Sequence, residues 1–203
     1  AYEHIPSNRR PRLFVSLLET LGAEEFMFAL LAMLLDKYGT TADVLSFASE
    51  LFNQFDVEIQ LQTLIKLLDL IGDLFKPKPG LSASLLGINE ENKKDPQKTA
   101  TSLLDLPPQL LSSRKLTAQI RKVTEQDDMD AARVREHYSA LVEDLLSLAG
   151  SLKPYPALQA RCGDALPKLL NLLPIGEFIK SVENLLDRPD VTIRRKVLRA
   201  LEV

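Results

Sequence analysis

The sequence predicts an all-α protein, an α-solenoid of antiparallel helix pairs with a long internal loop. Its 203 residues are 45% hydrophobic but only 6% aromatic, with no tryptophan and 8 glycines. That composition suits packed helices better than sheets, whose strands favour β-branched and aromatic residues. Apolar residues also recur at the helical period in one segment after another. Connections of two to four residues before residue 76 make consecutive helices antiparallel neighbours.

The first two helices are predicted on either side of Gly22. Ser7 is a plausible N-cap for the first, and Pro11 is tolerated only in its first turn. The second runs from Glu24 to about Tyr38 and is apolar almost all round, which predicts burial on several sides. The first helix carries one apolar stripe: Leu13, Phe14, Leu17, Leu18 and Leu21.

Two more helices complete residues 1–75. Gly39 ends the second helix, and Thr40 or Thr41 caps a third that extends to about Phe55. Asp56 then caps a fourth, which extends to about Phe75. Residues 1–75 are therefore predicted to form two helix pairs.

Residues 76–113 are predicted to be a mobile loop or insertion. The stretch KPKPG stops the fourth helix, and NEENKKDPQK has no apolar residue to bury. Pro107 and Pro108 argue against a helix through the centre of LLDLPPQLL.

Helices are predicted again in residues 114–203, as further pairs of the same solenoid. VREHYSALVEDLLSLAGSL carries one apolar stripe, Pro167 predicts a kink or break in the next helix, and another helix spans Ile175–Leu186. A last helix is expected after Asp190, with Arg194, Arg195, Lys196 and Arg199 towards solvent. Its inward or repeat-facing side is expected to comprise Ile193, Val197, Leu198 and Leu201. Its remaining apolar residues suggest a repeat pattern truncated before the next unit. Those residues are Ile193, Val197, Leu198, Leu201 and Val203.

Three stretches suggest an internal repeat. DVEIQLQTLIKLL from Asp56 and PDVTIRRKVLRAL from Pro189 share Asp-x-x-Ile followed by Gln or Arg, and YPALQARCGDALPKLL from Tyr155 has a related rhythm. In this pattern the Asp caps a helix, and a polar side chain off the apolar face can reach a neighbouring carboxylate or carbonyl. The pattern resembles the HEAT repeat, a stacked helix pair of about 40 residues. The resemblance implies a HEAT-like α-solenoid, with two HEAT-like helix pairs in residues 1–75 and further HEAT-like pairs in residues 114–203. The alternative is a compact helical bundle.

Catalytic and metal chemistry find no support in the sequence. Neither His4 nor His137 has a second His or Cys at the spacing of a metal site. Because Cys162 is the single cysteine, the chain cannot form an internal disulfide. On an apolar helix Cys162 is expected to be a buried hydrophobe, not a nucleophile. No phosphate-binding or nucleophile motif is present, and no apolar run reaches the roughly 18 residues of a membrane span. We therefore expect no enzyme activity, cofactor, metal, small-molecule substrate or membrane partner.

Three basic clusters are the candidate contacts with RNA or a partner. The net charge of −3 excludes a uniformly basic chain, but phosphate contacts need only clustered cations. No interleaved aromatics support base stacking. Solvated helix faces and salt bridges between repeats are the alternative explanation. The clusters comprise Arg9, Arg10 and Arg12; Arg114, Lys115, Arg121 and Lys122; and Arg194, Arg195, Lys196 and Arg199.

The N-terminal stretch HIPSNRRPRLFVSLLETLG and the leucine-rich helix behind it carry a more specific resemblance. They resemble the large nucleolar HEAT-repeat proteins associated with the U3 small nucleolar RNA, most clearly over residues 2–75. The resemblance implies a non-enzymatic scaffold in the nucleus and nucleolus, within a large ribonucleoprotein assembly. It implies a role in pre-ribosomal RNA transcription and processing in the small-subunit processome. A HEAT-type adaptor of nuclear transport or chromatin assemblies is the alternative.

Overall fold

The computed structural model describes residues 2–78, 80–84, 86 and 95–187, together with residues 191, 194, 195 and 198. The regular elements in this part of the chain are helical. A short 3₁₀ turn at Tyr2–His4 precedes eleven α-helices within the described ranges. These are α1 Arg10–Leu21, α2 Ala23–Tyr38, α3 Ala42–Phe52, α4 Val57–Asp73, α5 Leu81–Ser84, α6 Pro96–Leu104, α7 Leu106–Leu111, α8 Arg114–Thr124, α9 Met129–Ser151, α10 Pro156–Leu170 and α11 Ile175–Leu186.

The chain divides into two compact units, residues 1–110 and 111–203. In the first unit α1 lies against α2 and α3, while α2 lies against α3 and α4. This is the stacking expected of two successive helix pairs, in which equivalent helices of neighbouring pairs touch. These four helices lie within residues 1–75, where the sequence predicts two helix pairs.

The core of the first unit is α2, which packs against α1, α3, α4 and α6. Met27, Leu31 and Ala32 are completely buried, as expected for a helix that is apolar almost all round. Gly22 and Gly39 bound the helix with φ values of 96° and 78°, a region that side chains disfavour. Glycine is therefore needed at both turns that set the direction of α2.

The helix α1 differs from its prediction in two respects. Ser7 does not cap it; the helix begins at Arg10, and Arg9 at the N-cap makes no side-chain capping bond. Only Leu18 of the predicted stripe is fully buried. Leu13, Leu17 and Leu21 are 52%, 43% and 51% exposed, because α2 and α3 cover only one side of this helix.

Part of the predicted loop at residues 76–113 is helical, so that prediction is wrong for residues 96–111. The helix α6 begins after Asp95, whose side chain accepts a hydrogen bond from the backbone N–H of Gln97 at 3.0 Å, and it packs on α2 and α4. Pro107 and Pro108 are tolerated because α7 begins at Leu106, so both lie in a first turn whose N–H groups have no helical acceptor. The predicted mobility of residues 87–94 lies outside the described residues.

The second unit is organised around α9, which packs against α8, α10 and α11. Tyr138 of α9 is 1% exposed and donates its hydroxyl to the carbonyl of Leu169 in α10 at 2.9 Å. Ser139 donates to the carbonyl of Ser181 in α11 at 3.3 Å. Burial raises the pKa of Tyr138, so the phenol stays protonated and remains a donor.

One hydrogen-bonding device recurs in both units. Gln60, near the start of α4, donates its amide to the carbonyl of Phe52 at the end of α3, at 3.0 Å. Gln159, near the start of α10, donates to the carbonyl of Ala149 near the end of α9, at 2.9 Å. Each bond satisfies a carbonyl near the C-terminal end of the preceding helix. The last carbonyl groups of a helix have no N–H donor within the helix. The polar position of the predicted repeat pattern thus joins two consecutive helices in each unit.

The predicted break at Pro167 does not occur, since α10 continues to Leu170. Gly163, four residues earlier, is exposed, so the carbonyl that loses its helical donor can be hydrated. In the last segment Arg194 and Arg195 are exposed as predicted. Leu198, predicted to lie on the side that faces inward or towards a next repeat, is 48% exposed. The predicted cap Asp190 and the apolar Ile193, Val197 and Leu201 lie outside the described residues.

Leu31→Asp is expected to unfold the first unit. The side chain is completely buried, and an unpaired carboxylate there would cost several kcal/mol. Glu24→Ala, on the exposed first turn of the same helix, should change stability by less than about 1 kcal/mol. Thermal unfolding followed by circular dichroism compares the two; equal melting temperatures would refute the buried position of α2.

Tyr138→Phe is expected to lower the stability of the second unit by about 1 kcal/mol, because only the hydroxyl bonded to Leu169 is removed. Tyr38→Phe, at a partly exposed tyrosine, is the control. Urea unfolding measures both changes. If Tyr138→Phe costs no more than Tyr38→Phe, the hydroxyl does not join α9 to α10.

Candidate nucleic-acid and protein interface

The first basic cluster is partly structural. Arg10 places its guanidinium 4.2 Å from the centre of the Tyr2 ring and donates its Nε–H to the carbonyl of Ile5 at 2.8 Å. These contacts fix the N-terminal turn on α1 through a cation–π interaction and a hydrogen bond. Arg9 and Arg12 are exposed. Two cations of this cluster are therefore available for binding, while Arg10 has a structural role.

The second basic cluster forms one continuous face of α8. Arg114, Lys115, Arg121 and Lys122 are all exposed. Leu116, Ile120 and Thr124 are buried on the opposite side, at the i, i+4, i+8 spacing. Ser113 caps the helix by accepting the backbone N–H of Leu116 at 3.3 Å. The fold thus brings together all four cations that the sequence singled out here.

The third cluster is described only in part. Arg194 and Arg195 are exposed, as is Leu198. Lys196 and Arg199 lie outside the described residues.

An ion-pair network in the second unit escaped sequence analysis. Arg135 of α9 binds Glu177 of α11 through its Nε, while its Nη2 lies 3.3 Å from Glu177 Oε1 and 2.7 Å from Asp127 Oδ1. Lys180 lies 3.4 Å from the same Glu177 oxygen. The side chains of Arg135 and Glu177 are only 14% and 17% exposed. The network therefore ties α9 and α11 to the turn that follows α8.

The two aspartates of this turn make different contacts. Asp128 caps α9 by accepting the backbone N–H groups of Asp130 and Ala131 at 3.0 and 3.1 Å. Asp127 has a φ of 46°, the left-handed region, and directs its carboxylate to Arg135. The hydrogen bond from Arg135 lowers the pKa of Asp127 and of Glu177. Both carboxylates therefore stay ionised and bound to the same guanidinium.

Potentially reactive groups in the described part have structural roles. Cys162 is buried, and this burial raises the pKa of its thiol to about 11, so it is not a nucleophile near neutral pH. Within the described residues, no three His, Cys, Asp or Glu side chains are grouped to hold a metal ion. None of the helices described is both long and apolar enough to cross a membrane.

Stacked helix pairs, buried central helices and exposed charged and apolar faces define the class: an α-helical repeat protein of the HEAT type. The chain belongs to the family described as HEATR1-like, HEAT repeats, whose model matches residues 1–173. No solved structure matches the chain at a significant level.

Fungal proteins named U3 small nucleolar RNA-associated protein 10 are similar to this chain along its whole length. The protein from Chaetomium globosum is 55% identical over 203 residues, and that from Pyricularia oryzae is 52% identical over 203 residues. The protein from Aspergillus fumigatus is 38% identical over 203 residues. The chain spans only 12%, 11% and 11% of the length of these three relatives, respectively.

Glu177→Gln is expected to destabilise the second unit at neutral pH by about 1.5–3 kcal/mol, the range for hydrogen bonds to charged groups. Because pairing lowers the pKa of Glu177, its contribution is complete above the ordinary glutamate pKa. It is lost as pH falls through the lower folded-state value. The difference between wild type and variant should therefore shrink from about pH 7 to about pH 3 in urea unfolding.

Glu183→Gln, at an exposed position of the same helix, is the control and should show little difference at either pH. A destabilisation by Glu177→Gln that is unchanged in acid would show that the ion pair is not its source.

Proposed function

We propose that this chain is part of a non-enzymatic scaffold for ribosome biogenesis, located in the nucleus and nucleolus. In this role it would support pre-ribosomal RNA transcription and processing during small-subunit (18S) assembly, mainly through protein–protein contacts. Membership of the HEATR1-like family and the naming of the relatives after the U3 small nucleolar RNA support this assignment.

The observation that carries the proposal is the exposed apolar face of α1. Leu13, Leu17 and Leu21 lie at i, i+4, i+8 and are each between 43% and 52% exposed. A helix that shows a stripe of large apolar side chains is suited to cover another apolar helix face. Such a surface fits a scaffold that acts by stacking and binding proteins, and it offers no group for catalysis.

The test is affinity purification of the intact protein that contains this chain, from cells that express it. The variant Leu13→Glu with Leu17→Glu places two charges on the apolar stripe. Ser16→Glu with Thr20→Glu places two charges at the same spacing on exposed polar positions of the same helix. Melting temperatures of both variants establish that each remains folded.

We expect wild type and the Ser16/Thr20 variant to co-purify nucleolar proteins and pre-ribosomal RNA, and the Leu13/Leu17 variant to lose protein partners. Equal recovery by the two variants would refute α1 as the contact surface. Recovery of transport factors or chromatin proteins in place of nucleolar ones would favour the adaptor alternative, and it would overturn the proposed role in ribosome biogenesis.

A further inference from the structure

The cationic face of α8 has a regular geometry around one small residue. Ala118 is exposed at its centre. Arg114 and Lys115 precede it by four and three residues, and Arg121 and Lys122 follow it by three and four. Residues at these spacings are neighbours on a helix surface. The four charges therefore surround a flat alanine and extend over about 12 Å of helix.

Nothing within the described part neutralises this face by pairing. None of its four cations forms an ion pair there, and α8 itself contains no acidic residue. Arg121 does border an open cleft with Glu125 and Glu177, but Glu177 is bound to Arg135. The concentration of positive charge contrasts with the net charge of −3 for the whole chain.

Helix stability does not account for the position of these charges. Cations in the last turn, such as Arg121 and Lys122, favour a helix, whereas cations in the first turn oppose its macrodipole. Arg114 and Lys115 occupy the first turn of α8, at its positive end. They reduce the stability of the helix, because a positive charge at the positive end of the macrodipole is unfavourable. A pair placed against the dipole is explained better by a bound anion than by folding.

We propose that this face of α8 binds the phosphate backbone of RNA. The face has no apolar side chain larger than Ala118, whereas a protein interface usually has an apolar core. It also has no aromatic residue on which bases could stack. Exposed cations without apolar or aromatic neighbours are suited to bind a polyanion through its charge, without recognition of bases. The choice of RNA as the polyanion rests on the proposed function; the charge geometry does not depend on the apolar face of α1.

The most direct test is Ala118→Glu. The new carboxylate would lie three or four residues from all four cations and pair with them, which should preserve or slightly raise helix stability. RNA binding should nevertheless fall by at least about fivefold, since at least one phosphate contact is lost. Ala160→Glu, at an exposed position of α10, is the matched control and should leave binding unchanged.

The measurement is fluorescence anisotropy with the purified chain and a labelled single-stranded RNA of mixed sequence, about 16 nucleotides long. For four phosphate contacts, the logarithm of the binding constant should fall with the logarithm of salt concentration with a slope of about −3. Arg114→Lys with Arg121→Lys should retain binding, because charge and not bidentate geometry is required.

A fourfold exchange provides a second, independent comparison. Replacing Arg114, Lys115, Arg121 and Lys122 by Gln should abolish measurable binding. Replacing four scattered exposed lysines by Gln removes the same amount of charge and should retain most of the RNA binding. These lysines are Lys37, Lys98, Lys153 and Lys168. Melting temperatures confirm that both proteins are folded.

Three results would overturn the proposal. The first is equal binding by the Ala118→Glu and Ala160→Glu variants, and the second is equal loss in the two fourfold variants. The third is displacement of the RNA by a polyglutamate peptide of equal charge at a lower concentration than by unlabelled RNA, which would assign the face to an acidic protein. Failure of the α1 experiment together with success here would leave RNA binding standing without the protein contacts.

Discussion

The structure depends on one constraint: each unit contains a helix with so much apolar surface that several other helices are needed to cover it. In the first unit that helix is α2, which is enclosed by α1, α3, α4 and α6. In the second it is α9, whose buried side chains include Val134, Leu141 and Leu145. Because burial of apolar area is the dominant favourable term in folding, the outer helices take their positions from these two. Their outward faces are then available for contacts with other molecules.

The helical period of α2, α3, α4 and α11 and the end signals of α2, α3 and α4 can be predicted from the sequence, because local chemistry determines them. Gly22 and Gly39 have the positive φ that glycine tolerates, and Thr41 and Asp56 accept the capping hydrogen bonds. The prediction failed where burial depends on distant partners. The helix α6 buries Thr99 and Ala100 with Leu103 and Leu104, a helical spacing hidden by small and polar residues. Nothing local indicates that α2 and α4 cover them.

For the candidate surfaces, too, local features could be predicted from the sequence and features that depend on distant packing could not. The cationic face of α8 could be predicted, because its four charges lie close together in the sequence and on one side of one helix. The pairing of Arg135 with Glu177 could not, because the two residues are 42 positions apart and only the packing of α9 on α11 brings them together. The exposure of Leu13, Leu17 and Leu21 was also hidden. An apolar stripe has the same pattern whether its own unit or another molecule covers it.

Native-state amide hydrogen exchange tests the central role of α2 and α9 most directly. Amides in a helix enclosed on several sides exchange only when the surrounding unit opens, whereas those of peripheral helices exchange through local opening. The account predicts that the slowest amides of residues 1–110 lie in α2 and the slowest of residues 111–203 in α9. The amides of α1 and α8 should exchange faster. Exchange in α2 as fast as in α1, or in α9 as fast as in α8, would contradict it.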